Sequence, residues 1–243
     1  MNILQRIIEK KKRKDEPRGV TVAFLGDSVT QGCFEIYQNA EGRVVPVTEA
    51  ASAYPQGLIT QLSALYPDLP FHMLNVGLSG DRAPNGSRRL ASDVLSCHPD
   101  LTVVCYGLND CSDAADSVTR YVTGLEEILR ALAESGSEIV FMTPNTMNFY
   151  VSAGITNEAL RDIAARKMQL QVGGCMDRHI EAAVALCRKM NVRVCDCYAV
   201  WVQMQKSGVD TTALLSNEIN HPTREMHKLF VAKLLDALFA GGE

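Results

Sequence analysis

The sequence is short of the features that mark several large protein classes. No apolar run approaches the roughly 20 residues that a membrane-spanning helix needs. The first residues, MNILQRIIEKKKRKDEPRG, have neither the long apolar stretch nor the small-residue cleavage site of a secretory signal. There is no excess of basic charge: the formal net charge is -4, which removes the general electrostatic reason to expect a nucleic-acid partner. No CxxC pair, no internal repeat and no low-complexity linker occurs. These absences argue against an integral membrane protein, an exported protein and a multi-domain array, and leave one domain over residues 19–243 behind an N-terminal extension at 1–18.

Cysteine, by contrast, is plentiful. Eight residues stand at 33, 97, 105, 111, 175, 187, 195 and 197. Cys105 and Cys195 fall inside apolar, strand-like runs, where a free cysteine behaves as a small hydrophobe. Cys195 and Cys197 stand two apart and do not have the CxxC spacing of a common metal-ligand pair. No metal site is therefore expected, and the thiols read as the free cysteines of a reducing, cytoplasmic setting. The N-terminal extension places Ile3, Leu4, Ile7 and Ile8 on one side of a short helix that ends in a basic run. Such a helix suits a solvated face or a contact in a homo-oligomer.

What is present is a repeated alternation of strand and helix. Val20–Leu25, Phe71–Val76, Leu101–Tyr106, Glu138–Thr143 and Val192–Cys197 read as five strands rich in β-branched and apolar residues. Helical spacing fills the gaps, for example at Leu58, Leu62 and Leu65, over Arg89–Cys97 at Leu90, Val94 and Leu95, and at Leu229, Phe230, Leu234 and Leu235. Residues between Ser28 and Arg43 read as a polar loop. The stretch 145–174 departs from the rhythm and reads as a flap or insertion near a site. Strands alternating with helices predict a parallel sheet covered on both faces.

The first strand stops at Gly26-Asp27-Ser28, which sets a hydroxyl at the carboxyl edge of the sheet, where open α/β sheets hold ligands. Taken alone, Ser28 and Asp27 are equally good helix caps. Three further loops supply complementary chemistry. Gly80 lies in Asn75-Val-Gly-Leu-Ser-Gly-Asp81, Asn109 in Gly107-Leu-Asn-Asp110, and Glu218 and His221 in Glu218-Ile-Asn-His221-Pro222. No GxGxxG or P-loop pattern follows Leu25, so a nucleotide-binding reading leaves Asn109 and His221 without a role and no cofactor is expected.

These four segments, in this order, resemble the SGNH hydrolases, or GDSL esterases and lipases, whose name lists the Ser, Gly, Asn and His of four blocks. The resemblance runs from Val20 to about Leu235. It implies a flavodoxin-like, three-layer α/β/α fold with a five-stranded parallel sheet. It also implies hydrolysis of a small or short-chain acyl ester, with O-acetylated carbohydrate among the candidate substrates, through an acyl-enzyme on Ser28. Carried over block by block, it makes His221 the base and gives the oxyanion hole to the Ser28 and Gly80 N–H groups and the Asn109 amide. The family usually has Asp three residues before His, and here Glu218 stands there. Glu218, the amide of neighbouring Asn217 and a backbone carbonyl are all open as the group that orients His221. A relative that keeps the fold as a binding protein without turnover is the competing reading.

Overall fold

Strand β1 (Val20–Gly26) is apolar at nearly every position, and its side chains divide by parity. Val20, Val22 and Phe24 enter one buried cluster, while Ala23 and Leu25 enter another. Strand β5 (Leu101–Cys105) divides in the same way, with Leu101, Val103 and Cys105 on the first side and Val104 on the second. Successive strand residues point to opposite faces, so such strands need cover on both. In the computed structural model, which describes residues 2–12 and 19–240, helices supply it. On the first face lie α1 (Ile3–Lys12), α3 (Tyr54–Leu65), α8 (Cys197–Lys206) and α9 (Arg224–Phe239), around the fully buried Trp201. On the second lie α4 (Ala83–Asp93), α5 (Ser117–Ser135) and the second half of α7 (Cys175–Lys189).

All five sheet strands are parallel. With β4 (Phe71–Asn75), β6 (Glu138–Met142) and β7 (Arg193–Cys195), the order is β4-β1-β5-β6-β7. Numbered within the sheet this is the flavodoxin-like order 2-1-3-4-5, and the chain changes direction across the sheet between β1 and β5. Gly26 pairs in register with Cys105 there, so the loops that leave these two strands start side by side. This is the crevice where an open sheet of this kind holds a ligand. Among the described residues no helix is long and apolar enough to cross a membrane.

Three local readings need correction. The polar loop between Ser28 and Arg43 contains a strand: β2 (Cys33–Gln38) forms an antiparallel hairpin with β3 (Val44–Thr48). Pro46 is tolerated in β3 because in a two-stranded ribbon its missing N–H faces no further strand. The second predicted helix begins at Ala83, not Arg89, because Pro84 fits a first helical turn. The N-terminal helix α1 docks on the chain's own core. Ile3 and Ile7 are buried, Ile8 is exposed, and Lys10 Nζ reaches Asp100 at 2.6 Å. The end of the basic run, at 13–18, lies outside the described residues. Within 145–174, Asn145 to Asn148 are fully buried, and α6 (Glu158–Val172) follows. Asn145 Nδ2 donates to the Asn220 carbonyl at 2.9 Å and Asn148 N to the Ile219 carbonyl at 2.8 Å, so this segment braces the loop that carries His221.

Candidate active site

Ser28 opens a one-turn helix, α2 (Ser28–Gln31), directly after β1. Asp27 caps it: its Oδ1 accepts the Val29 N–H at 3.0 Å, the role an Asp at this position performs best. The preceding residue has to be glycine. A Cβ on Gly26 would come within 2.2 Å of Thr30 Oγ1 and 2.6 Å of the Cys105 carbonyl oxygen. The strand-to-helix turn is therefore tight, and it holds Ser28 at the end of the central strand.

His221 reaches Ser28 from the loop before α9. Its Nε2 lies 2.9 Å from Ser28 Oγ, and its Nδ1 lies 2.9 Å from the carbonyl oxygen of Phe34. A carbonyl oxygen only accepts, so Nδ1 carries the hydrogen and Nε2 offers its lone pair to the serine hydroxyl. The ring is buried, and burial pushes its pKa down to about 4, against the opposing effect of the Phe34 carbonyl. It is thus a neutral imidazole at neutral pH, the form that takes a proton.

Glu218 does not reach His221. Its Oε1 accepts a hydrogen bond from Ser152 Oγ at 2.8 Å, and it lines a cavity of about 250 Å³ beside Gly154 and Asn157. The cause is the path of the loop. Glu218 sits in the left-handed region at φ 54°, while Asn217 Oδ1 gathers the backbone N–H groups of Ile219, Asn220 and His221 at 2.9–3.0 Å. Asn217 thus folds the loop and leaves the imidazole ring alone. Of the three orienting groups open in the sequence, the backbone carbonyl is the one at the ring, and Phe34 on β2 supplies it. Glu218→Gln is expected to lower kcat/KM less than about tenfold, whereas losing a carboxylate that orients the base costs about 10⁴-fold. Steady-state kinetics of the purified variant decide between these.

The remaining predicted residues line up on the same edge. Gly80 has φ 78°, a conformation that favours glycine, and open space where a side chain would project. Asn109 Nδ2 donates to the Asp81 carbonyl at 3.1 Å, which ties the β5 loop to the loop of Gly80 and leaves the amide a second N–H. Among the described residues, neither the Ser28 nor the Gly80 backbone N–H donates to another protein group. The acids nearby are structural in their bonding. Asp110 Oδ1 accepts the Ala83 N–H at 2.9 Å, and Asp81 pairs with Arg89 at 2.7 Å. Burial pushes Asp27 up to about 7 and Asp110 up to about 6. His227 is buried, accepting the Tyr54 N–H at 3.0 Å and packing on the Phe34 ring.

Two participants escaped sequence reading. Phe34 acts through its carbonyl, and the alternation of Phe34 and Ile36 with Glu35 and Tyr37 was the only available signal for its strand. Lys167 on α6 donates to the Leu108 carbonyl at 2.6 Å, one residue before Asn109, and no motif marks it. Among the described residues one group has metal-ligand character: Cys111, Cys175 and His179, with ligand atoms within 4.8 Å of one another. These atoms are already engaged: Cys111 Sγ with Cys175 Sγ, Cys175 Sγ with the Ser112 carbonyl, and His179 Nδ1 with the Cys175 carbonyl. Burial also pushes the Cys111 thiol well up from its ordinary value.

The chain is similar to an acetylxylan esterase of Geobacillus stearothermophilus, 33% identical over 92 residues; the match covers 38% of this chain and 40% of that protein's length. Among solved structures, a catalytic mutant of the acetylxylan esterase Axe2 from Geobacillus stearothermophilus superposes with TM-score 0.65 at 19% identity. That alignment covers 92% of this chain and 97% of the other. A two-domain esterase active on acetylated mannans superposes with TM-score 0.67 at 15% identity, covering 97% of this chain and 52% of that one. At these identities the superpositions speak for the fold. The sequence profile of the GDSL-like lipase/acylhydrolase family matches residues 24–229, which runs from the end of β1 into the first turns of α9. The chain therefore belongs to the GDSL-like lipase/acylhydrolase family, a family of serine ester hydrolases.

Proposed function

We propose that this protein hydrolyses acetyl or other short-chain acyl esters, including O-acetylated carbohydrate, through an acyl-enzyme on Ser28. The observation that carries the reading is the Ser28 Oγ to His221 Nε2 hydrogen bond at 2.9 Å, with Nδ1 held by a carbonyl. A serine hydroxyl is a poor nucleophile until a base takes its proton. His221 removes that proton as Oγ attacks the ester carbonyl carbon, and the oxyanion is met by the Ser28 and Gly80 N–H groups and the Asn109 amide. Such donors are each worth roughly 3 kcal/mol of barrier. The imidazolium then protonates the leaving alcohol. Water, deprotonated by the same ring, releases the acid and restores Ser28. The acetyl preference is supported by the relatives named for acetylxylan and acetylated mannan. An intact Ser28–His221 pair gives a non-catalytic reading no support.

A fluorophosphonate probe is expected to label Ser28, located by mass spectrometry of the digested protein. p-Nitrophenyl acetate is expected to turn over faster than its long-chain homologues, with or without a chelator. Absence of label together with absence of turnover sinks the reading.

The buried base also sets the pH response. Lowering the pH through the His221 pKa of about 4 protonates Nε2 and removes the base, so activity falls on the acid side there. The profile of kcat/KM is expected to hold its plateau well below the ordinary histidine range. An acid limb near the usual value of 6.5 would mean that the ring is hydrated in solution.

A further inference from the structure

A second cavity, of about 610 Å³, lies between α6, the start of α7, Arg82 two residues past Gly80 and Ser112 three past Asn109. Four cations line it, Arg82, Arg166, Lys167 and Arg178, against a single acid, Asp113. This runs against a chain whose net charge is -4. Among the described residues none of the four forms an ion pair, although surface arginines elsewhere do, such as Arg120 with Asp116 and Arg130 with Glu126. Arg166 has Asp162 one helical turn before it and leaves it unpaired. Gathering like charges around one hollow is unfavourable until an anion enters, and the guanidinium fork matches a carboxylate or phosphate in two hydrogen bonds.

The hollow adjoins the reaction centre. Lys167 Nζ is bound to the Leu108 carbonyl at 2.6 Å, beside Asn109, and its charge is felt at His221. Arg82 stands two residues after Gly80 on the same loop.

We propose that this cavity is the subsite for an anionic group on the alcohol part of the ester. The preferred substrates are then acetyl esters of alcohols that carry a carboxylate or a phosphate, such as acidic sugars, over neutral ones. The inference rests on the Ser28 esterase reading and adds a substrate class to it.

Three aryl acetates test it: sodium 4-acetoxybenzoate, 4-acetoxyphenyl phosphate and the neutral methyl 4-acetoxybenzoate. The kcat/KM for at least one anion is expected to exceed that for the neutral ester by about tenfold at low ionic strength, and the excess is expected to shrink in about 1 M salt. Which anion leads tells carboxylate from phosphate. In the Arg166→Gln/Arg178→Gln variant the anion-to-neutral ratio is expected to fall toward unity. Because each variant's own neutral-ester rate is the denominator, a general loss of folded enzyme cancels. Lys228→Gln/Lys233→Gln, on α9 outside the cavity lining, removes the same two charges as a control and keeps the ratio. A wild-type ratio at or below one, or a ratio that survives the double substitution, overturns the proposal. If none of the three esters is turned over and the fluorophosphonate leaves Ser28 unlabelled, the serine reading fails instead. The cavity is then judged by calorimetric titration of 4-acetoxybenzoate and 4-acetoxyphenyl phosphate: binding of an anion that the double variant lacks upholds it, and no binding of either overturns it.

Discussion

Ser28→Ala is expected to lower kcat/KM for p-nitrophenyl acetate by about 10⁴-fold or more, and His221→Ala by a similar factor. The double variant is expected to be no worse than either single one. The two side chains are one device, a hydroxyl and the lone pair that receives its proton, linked at 2.9 Å. Once either is gone, only the oxyanion donors and substrate binding still help, so the losses do not add. Folding is a separate matter. The serine replacement removes one hydrogen bond, worth about 1 kcal/mol, and thermal melts of wild type and Ser28→Ala should nearly coincide. Equal esterase rates in both proteins would show that Ser28 is not the nucleophile for that ester. Losses that multiply in the double variant would show that the two groups act independently.

The largest effect on stability is expected at Asp81 and Arg89. The Asp81 side chain is fully enclosed and Arg89 retains only 15% exposure. The Asp81 carboxylate collects Arg89 Nε at 2.9 Å, Arg89 Nη2 at 2.7 Å, Tyr106 Oη at 2.8 Å and Asn85 Nδ2 at 2.5 Å. Removing one partner of such a pair strands the other charge away from water, at a cost of about 3–5 kcal/mol. Arg89→Ala is expected to lose that much in urea denaturation. Replacing both together, Asp81→Asn with Arg89→Met, should cost less than the two single changes summed, because no charge is left alone. A loss below about 1 kcal/mol for Arg89→Ala would mean that water reaches Asp81 in solution. The network also touches function. Asp81 lends its carbonyl to Asn109, and Arg89 Nη2 reaches the Gly26 carbonyl at 3.4 Å, so kcat should fall in variants that still fold.

Much of this was legible in the chain itself, for a physical reason. A strand apolar at nearly every residue, as at Val20–Leu25, has few places to go except the middle of a doubly covered sheet. The loops at the carboxyl ends of β1 and β5 then fall side by side by topology alone. That is why Ser28, Gly80, Asn109 and His221 are found at one edge although 193 positions separate the first from the last. Side-chain direction was not legible. The left-handed turn at Glu218 sends its carboxylate toward Ser152, and spacing along the sequence carries no trace of that. Contacts made by the main chain were hidden for a different reason. The Phe34 carbonyl is chemically identical to every other carbonyl, and only the position of the hairpin gives it a task. Lys167 was invisible because a lysine on a polar helix face looks the same whether it meets solvent or the Leu108 carbonyl.

In the proposed mechanism, the hairpin's grip on His221 bears on how the gene tolerates change. An aspartate or glutamate that orients a base is lost by one codon change. The carbonyl at position 34 is kept whichever amino acid is encoded there, since every residue carries one. Variation at 34 should therefore be limited by the packing of its ring against His227 and Arg224 rather than by the chemistry of the base. Position 218 is correspondingly released: a lineage with this hairpin in place can drift there, and the glutamate now present reads as one outcome of that freedom.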